Sequence, residues 1–295
     1  MNGQGRMQTS ASIENYFVCV GAQKAGTTWL ARVLSSHPDV FVTPVKEIHY
    51  FDHINNITTH LSDGKRRSRY RKYHQRLWTQ LNRWTELRAQ WPWYRRYMHS
   101  PIDDTWYTQL FAERQGKTFA GEATPEYAII GRDGLAHVRR LAPEARVLYI
   151  VRNPVTRSWS QLLHYCRVHA LDAGDQTDDE LIDILRDERF REFGDYATTL
   201  ANLSAVFSDE QISIEFYEDI HADRLGALER ICSFIGTSFE AQWFPGTERR
   251  YNPSQKSVLP DTIRRYLKDE YRESVADIAE RTSRLPDEWS REFEV

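Results

Sequence analysis

A short apolar run, Tyr16 to Val20, leads directly into Gly21-Ala22-Gln23-Lys24-Ala25-Gly26-Thr27-Thr28, after which Leu30, Val33 and Leu34 fall on one side of a helical pattern. Strand, tight loop and helix in immediate succession restrict the fold more than any other feature of the chain. Two glycines five positions apart let the backbone turn sharply and approach an anion. The first turn of the helix then offers unpaired N–H groups and the positive end of its dipole. Gly21, Gln23, Lys24, Ala25, Gly26, Thr27 and Thr28 are therefore the candidate contacts of a phosphate-binding loop. The helix should end near Ser36-His37-Pro38, because proline disfavours helical geometry in the residue before it.

The alternation continues downstream. Val40 to Thr43, Thr118 to Gly121, Arg146 to Val151 and Ile212 to Tyr217 read as strands. Arg146 to Val151 is almost wholly apolar, as suits a strand covered on both faces. Helices are expected from Pro154 to about His169, through Leu225, Leu228, Ile231, Cys232 and Ile235, and after Pro260 through Ile263, Leu267, Tyr271, Val275 and Ile278. Strands alternating with helices predict an α/β fold with a central parallel sheet flanked by helices, and ligands at the carboxyl ends of the strands. At 295 residues the chain is read as one domain, 1–295.

The loop departs from a nucleoside-triphosphate P-loop in two ways. That motif sets lysine directly after the second glycine, where Thr27 stands, whereas lysine here lies inside the loop at Lys24. A triphosphatase would also end a neighbouring strand in a magnesium-binding aspartate, and Arg146 to Val151 ends in Arg152. Arg152 at a strand's carboxyl end could grip a phosphate with its fork of donors, and Ser160, about two turns into the next helix, could face the same anion.

Three segments together resemble the family of sulfotransferases that use 3′-phosphoadenosine 5′-phosphosulfate (PAPS), in a bacterial-type form similar to the heparan-sulfate branch. Gly21 to Thr28 resembles the family's 5′-phosphosulfate loop, which implies that Lys24 contacts the bridging oxygen between phosphate and sulfate. Arg152-Asn153-Pro154-Val155-Thr156-Arg157-Ser158-Trp159-Ser160 resembles its 3′-phosphate motif, which implies Arg152 and Ser160. Lys46-Glu47-Ile48-His49-Tyr50-Phe51-Asp52 is similar to the segment that supplies the base in the heparan branch, which implies Glu47; His49 is the rival, since a histidine does this work in cytosolic relatives. Gly121-Glu122-Ala123-Thr124-Pro125-Glu126-Tyr127 resembles a segment bordering the acceptor site, with Ala123 where the heparan branch has lysine, and Glu122 either orients the base segment or forms a salt bridge. Ser254 and Lys256 sit where the family has a donor-covering loop. The resemblance implies a P-loop-like sulfotransferase fold, PAPS as co-substrate, PAP as product and no required metal. A P-loop kinase and a non-catalytic nucleotide-binding module are the alternatives.

Net charge is −3 and pI about 6.4, which gives no overall attraction to nucleic acid or anionic membrane. The average hides a segment, 53–101, with eleven Lys or Arg against Asp63 and Glu86, so that it carries +9 and the rest of the chain −12. The family resemblance does not cover this stretch, which is read as an insertion. Leu77, Leu81, Trp84, Leu87 and Trp91 recur at intervals of three and four and predict one basic amphipathic helix closed by Pro92. Its readings are a lid packing its tryptophans on the core, a holder for an acidic or lipid acceptor, or a surface for anionic membrane; nucleic acid is disfavoured. The acceptor is expected to be a small molecule, lipid or glycan bearing a hydroxyl or amine. Cys19, Cys166 and Cys232 read as buried free thiols, and with a polar N-terminus and no apolar run of spanning length the protein is expected in the cytoplasm.

Overall fold

A computed structural model describes residues 12–99, 101–248 and 257–295. All five expected strands form: β1 (Tyr16–Gly21), β2 (Val40–Val42), β3 (Phe119–Ala123), β4 (Arg146–Val151) and β5 (Ile212–Phe216). They make one sheet in the order β2-β3-β1-β4-β5, and every pairing is parallel. β1 is buried throughout and β4 at all but its first residue. Both are central strands with each face covered, which is why they read as continuous apolar runs rather than alternating ones.

Helices fill the crossovers. α1 (Thr27–Leu34) joins β1 to β2; α2 (Tyr50–Ile54), α3 (Asp63–Thr79), α4 (Trp84–Ala89), α5 (Trp91–Tyr97) and α6 (Asp104–Ala112) lie between β2 and β3. α7 (Gly131–Leu141) leads to β4, and α8 (Pro154–Val168), α9 (Asp178–Leu185), α10 (Glu188–Glu192) and α11 (Tyr196–Val206) lead to β5. α12 (Tyr217–Ala222), α13 (Arg224–Ile235), α14 (Asp261–Thr282) and α15 (Asp287–Phe293) follow. The expected face of α14 is the buried one, Ile263, Leu267, Tyr271, Val275 and Ile278. No helix among the described residues is long and apolar enough to cross a membrane.

The chain leaves β1 toward β2 on one side of the sheet and leaves β4 toward β5 on the other. The gap between the carboxyl ends of β1 and β4 is thus the switch point where open α/β sheets take ligands. Register slips there. Cys19 pairs with Leu148 but Gly21 pairs with Tyr149, so Val20 is an extra residue that bends the end of β1. Asn153 caps α8, its Oδ1 accepting the Val155 N–H at 3.0 Å, while Pro154 takes the first turn, where its missing N–H costs nothing.

The single amphipathic helix expected across 77–91 does not form. α3 ends at Thr79, Leu81–Arg83 is a turn of 3-10 helix, and Pro92 opens α5 rather than closing a helix. Of the five supposed core residues only Leu87 is fully buried; Leu81 is 71% exposed. The stripe that does face inward on α3 is Arg66, Tyr70, Tyr73 and Leu77, spaced by four, three and four. A cation at its head disguised it. Arg66 is buried because its guanidinium donates to the carbonyls of Tyr97 and His99 at 3.0 and 2.6 Å, contacts Asp63 and lies over the Trp106 ring. Tyr73 donates its hydroxyl to the Leu87 carbonyl, folding α4 back onto α3.

Candidate functional site

The candidate phosphate loop occupies the end of β1, and both of its glycines combine a positive φ with close neighbours. A Cβ on Gly21 would meet the Ala128 side chain at 3.1 Å and the Tyr149 ring at 3.2 Å; one on Gly26, at φ 87°, would meet the Tyr217 ring at 3.2 Å. Gly26 starts α1 with no side-chain cap and no acid in the first turn, so the dipole end is left for a ligand. Thr27 is buried beside it and Thr28 half-buried, while Ala25 is buried and Gln23 half-buried.

Arg152 comes directly to this loop. Its Nη1 donates to the Lys24 carbonyl at 3.0 Å, Nε donates to Thr156 Oγ1 at 3.2 Å, and the guanidinium lies 4.7 Å over the Tyr217 ring. Lys24 and Arg152, on adjacent parallel strands' ends, thus belong to one site. Burial and then the charges of Arg167 and Arg152 push the Lys24 ammonium below its ordinary range. Among the described residues no carboxylate pairs with Lys24, Arg152 or Arg167. Cations without an ion-pair partner in a partly buried site favour an anion. Ser160 is buried on α8 two turns beyond Arg152, and Ser254 and Lys256 lie outside the described residues. On either side of that gap, Trp29 Nε1 donates to the Thr247 carbonyl and Trp159 Nε1 to the Ser257 carbonyl.

The second part of the site follows β2. Glu47 pairs with Lys46, its Oε2 stands 3.8 Å from His49 Nε2, and His49 Nδ1 bonds Asp52 Oδ2 at 3.0 Å and stands 3.7 Å from Glu126 Oε2. Burial alone would raise the Glu47 carboxyl, but His49 and Lys46 outweigh it and hold it at about 2. Burial alone would lower the His49 imidazole, yet Asp52, Glu47 and Glu126 raise it to about 9. Both shifts favour the charged pair, a Glu47 carboxylate beside a His49 imidazolium.

This segment is held from below by a carboxylate the sequence left ambiguous. Glu122, fully buried on β3, accepts the Ile48 N–H at 3.1 Å, the Tyr107 and Tyr127 hydroxyls at 2.6 and 3.0 Å, and the Thr124 hydroxyl at 2.7 Å. Burial raises its acid range while these four donors lower it. Of its two readings, orientation of the base segment is the one the geometry supports; among the described residues it makes no salt bridge. Tyr50 stacks on Tyr107 at 4.7 Å and Phe51 edges onto Tyr107 and Tyr127, which fixes the segment's far end.

Lys24, Glu47 and His49 all have left-handed backbones, at φ 70°, 63° and 61°. Only nine non-glycine residues among those described do so, and that conformation costs about 1–3 kcal/mol unless surrounding structure enforces it. The three catalytic candidates thus share a feature independent of the motifs that suggested them.

A cavity of about 660 Å³ is bordered by Gln23, His60, Glu126, Ile129, His164 and Phe190 among others, next to the loop and the Glu47 segment but without Lys24, Glu47, His49, Arg152 or Ser160 in its lining. Both Lys24 and Glu47 act electrostatically on His164, Lys24 lowering and Glu47 raising its affinity for a proton after burial has lowered it. Glu126 is buried with its Oε2 lacking a hydrogen-bond partner among the described residues. Sequence reasoning missed Glu126, His164 and Arg167. The last two fall at four and seven residues beyond Ser160, on the same face of α8, a helical spacing that could have flagged them.

The fold places a glycine-flanked loop with neighbouring cations at the end of β1 and an acid- and histidine-bearing segment after β2, and both act electrostatically on His164. A family model described as Sulfotransferase family matches residues 17–241, and the chain belongs to that family. Among solved structures it is similar to a sulfotransferase from Alicyclobacillus acidocaldarius, at 22% identity and TM-score 0.63, covering 92% of this chain and 97% of that one. It is also similar to the sulfotransferase domain of a Synechococcus olefin synthase, at 17% identity and TM-score 0.54, covering 92% and 95%. A mouse sulfotransferase complexed with PAP aligns at 15% identity and TM-score 0.50, covering 97% and 90%. At these identities the structures speak for the fold, the parallel sheet flanked by helices. No curated protein matches the chain.

Proposed function

We propose that the protein transfers a sulfuryl group from PAPS to a hydroxyl or amine and releases PAP. The observation that carries this reading is the bond from Arg152 to the Lys24 carbonyl, which joins two sequence-distant cation-bearing elements at one place, with neither cation in an ion pair among the described residues. In the reaction the acceptor oxygen or nitrogen attacks sulfur, the bond from sulfur to the 5′-phosphate oxygen breaks in line, and its electron pair stays on the phosphate. Lys24 and the amino end of α1 stabilise that developing charge, a role worth on the order of a hundredfold or more in rate. Arg152 and Ser160 clasp the 3′-phosphate, with Ser254 and Lys256 as further contacts.

The acceptor's proton passes to Glu47. His49 is already protonated and serves to hold the Glu47 carboxylate and tie it to Asp52. The cavity receives the acceptor, with apolar walls at Ile129 and Phe190 and a hydrogen-bond acceptor in Glu126. The similarity of the Glu47 segment to the heparan-sulfate branch supports the base assignment, while Ala123 speaks against a heparan-like acceptor. Three free, buried cysteines support a reducing, cytoplasmic setting.

Calorimetric titration tests the reading. PAP should bind without magnesium and ATP only weakly; magnesium-dependent ATP binding with no PAP binding would return the kinase alternative. Radiosulfate transfer from PAPS to hydroxyl- and amine-bearing acceptors then separates an enzyme from a binding module.

A further inference from the structure

The basic segment ends in an apolar tip. Trp78 closes α3 and is 78% exposed, Leu81 follows at 71%, and Trp84 and Trp91 are 40% and 36% exposed. Side chains of this size are seldom left in water together without a partner surface. Neither Trp78 nor Trp84 uses its indole N–H within the described structure, so each has an apolar body and a free polar handle.

Cations surround the tip and remain unmatched. Arg67, Arg71, Lys72, Arg88 and Arg95 are exposed, and none is paired with a carboxylate among the described residues. Arg71 and Lys72 lie about two turns before Trp78 on α3, and Arg88 rests on the Trp84 ring at 4.9 Å. The segment's acids are already engaged: Glu86 is held by two bonds from Arg83, and Asp63 contacts Arg66. With +9 on 53–101 and −12 elsewhere, an anionic surface attracts this end of the chain and repels the rest, which fixes the orientation of approach.

We propose that the tip formed by Trp78, Leu81 and Trp84 docks on an anionic lipid bilayer, its aromatic and aliphatic side chains entering the headgroup layer while Arg71, Lys72 and Arg88 meet the lipid phosphates. Indoles beside an aliphatic residue within a ring of cations match the amphipathic headgroup boundary. Single-stranded nucleic acid would use the cations and stack bases on the indoles, but it gives Leu81 nothing to do. Docking is independent of the sulfotransferase reading.

The test is sedimentation of the full chain with phosphatidylcholine vesicles, alone or with about a third phosphatidylglycerol, at low and high salt. Binding is expected only to the anionic vesicles and should weaken with salt. Trp78→Ser with Leu81→Ser and Trp84→Ser should reduce it by about tenfold or more, as should Arg71→Glu with Lys72→Glu. Both variants should keep the wild-type thermal midpoint, because the altered side chains are exposed. Absence of binding to anionic vesicles at low salt would overturn the proposal, as would binding that both variants retain. So would single-stranded RNA displacing the protein from the vesicles at lower concentration than the lipid that holds it.

Discussion

The phosphate loop and the Glu47 segment both follow parallel strands and both bend through left-handed residues, yet their electrostatics are opposite. Around Lys24 the cations predominate: Arg152 and Arg167 add to the ammonium, none of the three forms an ion pair among the described residues, and the acid that acts on Arg152 is Glu218, which accepts the Asn153 N–H. Around Glu47 charges of both signs face one another and nearly balance, Lys46 and His49 against Glu47, Asp52 and Glu126. An unbalanced cluster awaits a ligand that brings the missing charge, whereas a balanced one is organised before any ligand arrives. On the proposed reading that difference separates donor binding from proton transfer, and it predicts how each part responds to substitution.

The largest effect should come from the unbalanced side. Lys24→Ala is expected to lower turnover by about a hundredfold or more, measured as single-turnover sulfate transfer, because it removes the cation proposed to stabilise the leaving phosphate oxygen. On the balanced side, Glu47→Gln should lower turnover by roughly a hundredfold while leaving PAP affinity unchanged by calorimetry. Near-normal turnover in Glu47→Gln would transfer the base role elsewhere and erase the contrast.

Support beneath the balanced segment is a stability matter. Glu122→Ala leaves the Ile48 N–H and three hydroxyls without their shared acceptor, and should cost about 3 kcal/mol in denaturant unfolding. A cost near zero would mean that Glu122 is not what holds the base segment.

The smallest effect is in pH dependence. His49 binds its proton more tightly folded than unfolded, rising from 6.5 to about 9, so its contribution is complete below pH 6.5 and is lost as pH climbs toward 9. Glu47 behaves in the opposite sense: its contribution is complete above pH 4.5 and is lost as pH falls toward 2. Chemical denaturation should show a decline on the order of 2 kcal/mol between pH 6.5 and 9, and His49→Gln should abolish it. A decline that persists in His49→Gln would assign it to another group.

The two regions also differ in how much the sequence reveals of them. Strand, loop, helix and Arg152 are local patterns, because backbone geometry and covered strands impose glycine positions and apolar runs directly. The five strands and the α14 face follow the same logic. Glu122 and Glu126 were visible as residues but not as a network, since their partners Tyr107, Ile48 and His49 come from other elements and only the sheet brings them together; the Asp52 contact with His49 is local, three residues apart. The 77–91 stretch misled for the converse reason: its helical spacing is genuine, but the inward stripe is headed by Arg66, whose burial depends on the distant carbonyls of Tyr97 and His99. Local periodicity lost to tertiary hydrogen bonding.

The most direct test compares PAP with AMP, which lacks the 3′-phosphate, in calorimetric titrations of the wild type and of Ser160→Ala and Arg152→Ala. If one nucleotide spans the loop and the Arg152 clasp, the wild type should prefer PAP by about a hundredfold or more, and Arg152→Ala should lose most of that preference while Ser160→Ala loses part of it. Equal affinity of the wild type for PAP and AMP would contradict the account.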